Sequence, residues 1–306
     1  MPNENWCSFR AGQFVQLSVW IGGVRHTRCF SISSAPEDGI PLRLTVKARP
    51  GGRVSCSWIR AAQRGDVVEL SPAMGDFVLP DPAPNRLLFV SGGSGVTPLL
   101  SMARHLAASS YTGRLTWLHY AKRRVILGDE LHQLARRQSG WQLEVHLTRP
   151  TRPAGTPAPH VSRERLEALA PGWRESETFA CGPAPLLTTL SKLWYEEGLG
   201  QRLHIERFNA PIFGSEDRVE HAPYRLVFAK SGQEAPGHAS ASLLDQAESA
   251  GLKPNHGCRM GICHSCECVK ISGVVRNELT GALDDEPGKL IRLCITTPRS
   301  DVTLEL

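Results

Sequence analysis

The sequence predicts a multidomain chain: a small, partial antiparallel β-barrel, then a doubly wound α/β domain, then an α+β domain at the C-terminal end. Three observations predict it. Short strand-like runs separated by turn residues fill 12–72. After a proline-rich join, apolar strands alternate with helical stretches. Five of the nine cysteines (Cys258, Cys263, Cys266, Cys268 and Cys294) crowd into the last fifth of the chain. With 306 residues, 41% of them hydrophobic, there is enough apolar material for two or three modest cores.

In the first block the spacing predicts strands over Gln13–Val19, His26–Ser33, Leu42–Lys47 and Val67–Leu70. Leu79-Pro80-Asp81-Pro82-Ala83-Pro84 ends that block. The second block predicts strands at Leu87–Val90, Leu115–Tyr120, Leu143–Leu147, Thr178–Cys181 and Leu203–Phe208. Helices are expected between them at Pro98–Ala107, Asp129–Arg137, Arg163–Leu169 and Ala184–Glu197, the alternation of a parallel sheet covered on both faces. Residues 209–222 have little periodicity and read as a linker. Beyond them come a strand at Tyr224–Ala229, a helix near Ser240–Ala250, a Gly/Cys loop, a strand at Cys268–Ser272 and a closing strand at Val302–Leu306. The expected domains are therefore 1–82, 83–208 and 223–306, with 209–222 as the link.

Charge is uneven: residues 1–214 carry 25 basic and 17 acidic side chains, and 215–306 carry 10 and 13. There is no basic run and aromatics are few, so nucleic acid is not an expected partner. No run of about 18 apolar residues occurs and the N-terminus lacks the blocks of a signal peptide, so the expectation is a cytoplasmic monomer without a membrane span.

The sharpest motif is Gly257-Cys258-Arg259-Met260-Gly261-Ile262-Cys263-His264-Ser265-Cys266, followed after 27 residues by Cys294. C-x4-C-x2-C with a distant fourth cysteine is the spacing of plant-type 2Fe-2S sites, so Cys258, Cys263, Cys266 and Cys294 are the expected iron ligands. Zinc also takes four cysteines, but its structural sites present two C-x2-C-like pairs rather than three ligands in one loop. Gly257 and Gly261 are expected to let backbone amides approach the sulfurs. Cys268 reads as a small core residue and His264 as a solvent-facing side chain, not a Rieske-type ligand.

Two further motifs precede it. His26-Thr27-Arg28-Cys29-Phe30-Ser31-Ile32-Ser33 follows Gly12-Gln13-Phe14-Val15, and Val46-Lys47 is followed by Gly51-Gly52-Arg53-Val54-Ser55. In the second block, Ser91-Gly92-Gly93-Ser94-Gly95-Val96-Thr97-Pro98 joins a strand to a helix. That is the context in which a glycine turn and a helix N-terminus receive a pyrophosphate, through Gly93 and Gly95. Ala180-Cys181-Gly182-Pro183 ends a later strand.

With three motifs in order over nearly its whole length, the chain resembles the ferredoxin-fused members of the ferredoxin-NADP reductase superfamily. The cluster loop, with Gly273-Val274-Val275-Arg276-Asn277 and Thr280-Gly281, looks most like the electron-transfer partners of membrane fatty-acid desaturases and hydroxylases. The resemblance implies a flavin barrel, a nicotinamide-nucleotide domain and a β-grasp ferredoxin domain. It places Arg28 on the flavin phosphate, Phe30 beside the isoalloxazine and Ser31 near its reactive nitrogen. Phe30 stands where the family has tyrosine, so a hydroxyl is lost. Val46, Lys47, Gly52, Arg53, Val54 and Ser55 match the turn that cradles flavin phosphates through backbone donors. Gly93, Gly95, Thr97 and Pro98 match the nucleotide loop, and Cys181, Gly182 and Pro183 the nicotinamide side. Ser31, Thr97 and Cys181 are the expected catalytic set, flanking the hydride path, with Glu206 and Phe208 closing over the flavin. Arg123 and Arg124, beside Lys122, are expected near the nucleotide's adenosine end, tilting NADPH against NADH.

The implied activity is an NAD(P)H oxidoreductase. A flavin, FAD or FMN, splits the hydride's electron pair for a cluster with a potential of about −400 mV. The expected acceptor is a redox protein at the membrane surface, a desaturase or hydroxylase. The alternatives are the reductase of a ring-hydroxylating oxygenase, usually with FMN, and a ferredoxin-like carrier with a non-functional flavin domain. Only eleven residues precede Gly12. The family barrel usually has roughly 30 to 50 there, so weak flavin retention is expected, and stoichiometric flavin absorbance of the purified chain would refute it.

Overall fold

The computed structural model describes residues 8–38, 41–148, 160–208 and 223–306; the expected linker lies outside them. The chain forms two compact units, Met1–Phe208 and Asn209–Leu306.

The first unit opens with β1 (Phe14–Ile21) and β2 (Val24–Ser31), an antiparallel hairpin turned at Gly22-Gly23, both at positive φ. β3 (Glu69–Leu70) pairs with the other edge of β1, giving the order β2-β1-β3. Alternation buries Val15, Leu17 and Val19 against Ile32, Val54 and partly buried Phe30. The expected strand over Leu42–Lys47 is reduced to one bridge, Ile32 to Leu44. Side chains replace the rest of the ladder: the Arg43 amide donates to Ser34 Oγ, and the Ser33 hydroxyl lies 2.9 Å from that of Thr45. The glycine turn leads not into a strand but into a wide helical turn, Arg53–Trp58, continued by Ile59–Ala61.

The rest of this unit is a five-stranded parallel sheet of β4 (Arg86–Gly92), β5 (Arg114–Ala121), β6 (Trp141–Leu147), β7 (Glu177–Cys181) and β8 (Leu203–Glu206). Its order is β6-β5-β4-β7-β8. Helices α1 (Val96–Ala108), α2 (Gly128–Arg137), α3 (Arg163–Leu169) and α4 (Ala184–Glu196) connect the strands. Alternate β4 residues bury both faces: Leu87 and Phe89 enter one core, Leu88 and Val90 the other. Phe77, Leu79 and Ala11 enter the first core alongside Phe89, Leu99 and Phe179, and Phe77 meets Phe179 edge to face at 5.7 Å. Each such ring contributes roughly 1.5–3 kcal/mol of burial, so the barrel edge is fastened to the α/β domain across the proline-rich join.

The second unit is a mixed sheet in the order β10-β9-β16-β11-β14, built from β9 (Tyr224–Phe228), β10 (Gln233–Gly237), β11 (Glu267–Ser272), β14 (Lys289–Arg292) and β16 (Val302–Leu304). β9 and β16 are parallel and the other pairs antiparallel. A smaller sheet adds β12 (Val275–Asn277), β13 (Leu283–Asp284) and β15 (Thr296–Pro298). Helix α5 (Leu243–Ser249) starts at Ser242, whose hydroxyl accepts from the Asp245 amide at 3.0 Å. Cys268 lies in this unit's core. Lys270 is fully buried, and its ammonium donates to the carbonyls of Gly273 and Asp284 and pairs with the Asp284 carboxylate. Among the described residues no helix is long and apolar enough to cross a membrane.

Candidate functional site

The strand order makes β4 the turning point of the sheet: the chain builds outward to β5 and β6, then returns to the other side of β4 as β7 and β8. Ligands of such sheets bind at the carboxyl ends of the strands on either side of this switch. There the loop after β4 meets the loop after β7. A Cβ on Gly95 would lie 2.0 Å from the Cys181 carbonyl oxygen, one on Gly92 2.5 Å from Pro183 Cδ, and one on Gly182 3.0 Å from the Gly92 amide. Gly95 and Gly182, expected at the ligand, also let the two loops touch because they carry no Cβ. Gly93 is different. It holds φ +56, and a Cβ there would meet only Lys47 Nζ, at 3.8 Å, so its backbone can face a ligand, with the barrel's Lys47 beside it. Thr97 is buried and its hydroxyl donates to the Ser94 carbonyl, so it shapes the loop. Pro98, third in α1, is buried too.

Strand register sets Ser91 beside Cys181 and Cys181 beside Glu206, and Ser31 arrives from the end of β2. All four are buried. Burial lifts the Glu206 carboxyl to about 8, with the nearby Ser31 hydroxyl pulling slightly the other way. Burial, and then the Glu206 charge, push the Cys181 thiol up. Beyond that mutual attraction, Ser31 Oγ and Glu206 Oε2 have no hydrogen-bond partner among the described residues. Buried polar atoms without partners are costly, and a ligand's polar ring edge would satisfy them, as a flavin's would. Behind Cys181, Ser91 accepts from Trp117 Nε1 at 2.8 Å and lies 2.7 Å from His119 Nδ1, and burial lowers His119 to about 4.

The other expected residues surround this junction unevenly. Arg28 and Phe30 share a face of β2. Arg28 is exposed, its guanidinium donating to the Thr27 carbonyl, whereas Phe30 packs against Leu17, Val19 and Val54. Val54 itself is a core residue, and Ser55 Oγ accepts from the Arg49 amide. Gly52 caps the helical turn. The amides of Arg53, Val54 and Ser55 form its first turn, while Cys56 and Ser57 both bond back to the Gly52 carbonyl. Val46 is half-buried and Lys47 exposed. Arg123 and Arg124 are solvent-exposed just beyond the carboxyl end of β5. Phe208 packs against the core that Phe89 and Phe179 share.

In the second unit three cysteines come from one loop and Cys294 from the turn after β14. Among the described residues no three metal-binding side chains gather as a single ion requires. The four thiols lie close enough to interact: Cys258 with Cys263, and Cys294 with both Cys258 and Cys266. Four cysteines are the ligand set that a 2Fe-2S cluster takes. The Cys258 amide donates to Cys263 Sγ at 3.2 Å and the Met260 amide to Cys258 Sγ at 3.3 Å, and the Gly261 backbone amide serves the Cys294 sulfur. Gly261, at φ +76, is needed because a Cβ would strike Ile295 at 2.7 Å. Arg259 pins the loop to Asp245 and Glu248 of α5, and Arg292 donates to the Gly261 carbonyl. His264 is exposed, paired with Glu267.

A model described as an oxidoreductase NAD-binding domain matches residues 89–192, and one for a 2Fe-2S iron-sulfur cluster binding domain matches residues 227–299. The chain is 35% identical to an NADPH oxidoreductase of Mycobacterium tuberculosis, over 97% of this chain and 77% of that one. It is 30% identical to a glycine betaine monooxygenase reductase subunit of Chromohalobacter salexigens, over 97% and 87%. Among solved structures it resembles phthalate dioxygenase reductase, described as modular for electron transfer from pyridine nucleotides to [2Fe-2S]. The TM-score is 0.62 and the identity 26%, over 98% of this chain and 89% of that one.

Proposed function

Since the chain belongs to the ferredoxin-NADP reductase-like flavin reductases that carry a C-terminal 2Fe-2S ferredoxin domain, we propose that it is the reductase component of an oxygenase. Its cofactors are a flavin, NAD(P)H and the cluster, and it is an NAD(P)H oxidoreductase. When bound, they supply hydride donation, splitting of the electron pair and single-electron carriage. The relatives' names support an oxygenase acceptor over a desaturase: glycine betaine monooxygenase, 3-ketosteroid-9-alpha-monooxygenase and phenoxybenzoate dioxygenase.

The observation that carries the reading is the buried meeting of Ser31, Cys181 and Glu206. Ser31 offers a hydroxyl from the barrel, Cys181 a compact apolar wall at the switch point, and Glu206 a carboxyl that holds its proton at neutral pH. Together they exclude water and present donors to a flavin edge, the work expected of positioning groups in hydride transfer. Lys47 and the Gly93 backbone are placed to receive nucleotide phosphate, and the Arg53, Val54 and Ser55 amides to receive flavin phosphate. Cys258, Cys263, Cys266 and Cys294 hold the cluster.

The test is anaerobic mixing of flavin- and iron-loaded chain with NADPH or NADH, followed by a purified oxygenase component. Bleaching of flavin and then cluster bands, with substrate oxidation once oxygen enters, is expected. Failure of either nucleotide to bleach the flavin overturns the reductase reading; bleaching without delivery to any oxygenase overturns the partner.

A further inference from the structure

Residues 31–35 of the barrel, which follow directly from the flavin motif, are buried throughout: Ser33 and Ser34 have no exposure and Ala35 has 1%. Their carbonyls are held by the nucleotide domain. Ser101 of α1, itself fully buried, donates from Oγ to the Ser34 carbonyl at 2.7 Å. One turn later, Arg104 donates to the Ser33 carbonyl while its Nε donates to Glu130 of α2 at 2.8 Å. The Arg104 side chain is only 11% exposed. Desolvating a guanidinium to reach one carbonyl and one carboxylate is a poor source of stability, so its placement calls for a reason beyond folding. The first turn of the same helix carries the Gly93–Gly95 loop that touches Cys181. A helix rises about 1.5 Å per residue, so a stiff rod of roughly 12 Å joins the Cys181 contact to the Arg104 clamp.

We infer that Ser101 and Arg104 are positioning residues for hydride transfer: by clamping the Ser33 and Ser34 carbonyls to α1 they hold Ser31 in register with Cys181 and Glu206. The inference rests on the reductase reading above. The reaction breaks a nicotinamide C–H bond and forms a flavin N–H bond, the electron pair travelling with the hydrogen, so its rate is sensitive to the spacing of the two domains. Nucleotide affinity, to which Lys47 and Gly93 contribute in that reading, is not.

The test compares Ser101→Ala, Arg104→Met and Arg104→Lys with the wild-type full chain. Stopped-flow flavin reduction with NAD(P)H, unlabelled and 4-deuterated, gives the hydride-transfer rate, its isotope effect and KM. Hydrogen exchange by mass spectrometry follows peptides covering 29–36 and 87–92. Expected is a loss of about tenfold or more in the hydride-transfer rate in Ser101→Ala and Arg104→Met, with KM changed less than about twofold. Arg104→Lys should recover much of the loss, and exchange should quicken over 29–36 but not over 87–92. An unchanged rate, or a loss confined to KM or flavin content, overturns the clamp, as does equal quickening of both peptides. A wild-type chain that neither nucleotide reduces would instead sink the reductase reading, and the exchange result would still decide whether the clamp holds the segment.

Discussion

Glu206→Gln isolates the cost of keeping a carboxyl inside the junction. Burial holds that group at about 8 against an ordinary 4.5. A folded-state value raised above the unfolded one means the native chain binds the proton more tightly. The associated stability is therefore full below about pH 4.5 and drains away as pH rises through about 8. At about 1.4 kcal/mol per unit, the whole drain is about 5 kcal/mol, of which roughly 3 kcal/mol is gone by pH 7. Glutamine keeps the shape and cannot ionise, so the variant should gain on the wild type by those amounts. The assay is denaturant unfolding of flavin-stripped full chain, followed by tryptophan fluorescence of the first unit, at about pH 5, 7 and 9. A stability difference between the two proteins that stays flat within about 1 kcal/mol over that range would refute the argument, because Glu206 would then be titrating as it does in water.

Cys263→Ser should abolish the cluster's visible and paramagnetic signals while leaving NAD(P)H-driven ferricyanide reduction near wild type; retained iron and sulfide would remove Cys263 from the ligand set. Gly95→Ala drives a methyl into the Cys181 carbonyl, 2.0 Å away. It should cost about 1–3 kcal/mol by denaturant titration and raise KM for the nucleotide, whereas a neutral outcome would show that the two loops can part freely. Replacing both Arg123 and Arg124 by alanine should lower kcat/KM for NADPH by about tenfold relative to NADH, the worth of about 1.4 kcal/mol of lost phosphate attraction. An equal effect on both nucleotides would place the adenosine end elsewhere.

The parallel sheet was readable because β4, β5 and β7 are short apolar runs divided by amphipathic helices, and every expected helix of that domain occurs within two residues. The cysteine loop was readable because spacing alone carries its chemistry. What stayed hidden depends on contacts distant in sequence. The packing role of Gly95 and Gly182, set against the Cys181 carbonyl and the Gly92 amide, is invisible until the fold brings the two loops together. The strand expected at Leu42–Lys47 dissolves because Ser33, Ser34 and Thr45 bond through their side chains, which alternation cannot foresee. In the second unit β10, β12, β13, β14 and β15 were missed. They are two to five residues long and rich in charge or proline, too short for a period to register. Ser101 and Arg104 read as ordinary helix residues, and only the barrel's position across from α1 gives them partners.

The buried ammonium of Lys270 bears on any attempt to transplant the iron-sulfur unit. Among the described residues, the oxygens that neutralise and solvate it come from one excursion of the chain, Gly273 and Asp284, so the lysine and residues 273–284 form a single cassette. A chimaera that keeps β11 from this chain but takes the following hairpin from another would strand a positive charge in an oily interior. One that exchanges both at once leaves the electrostatics whole, and crossover points for domain swaps belong before Glu267 or after Lys289, never between.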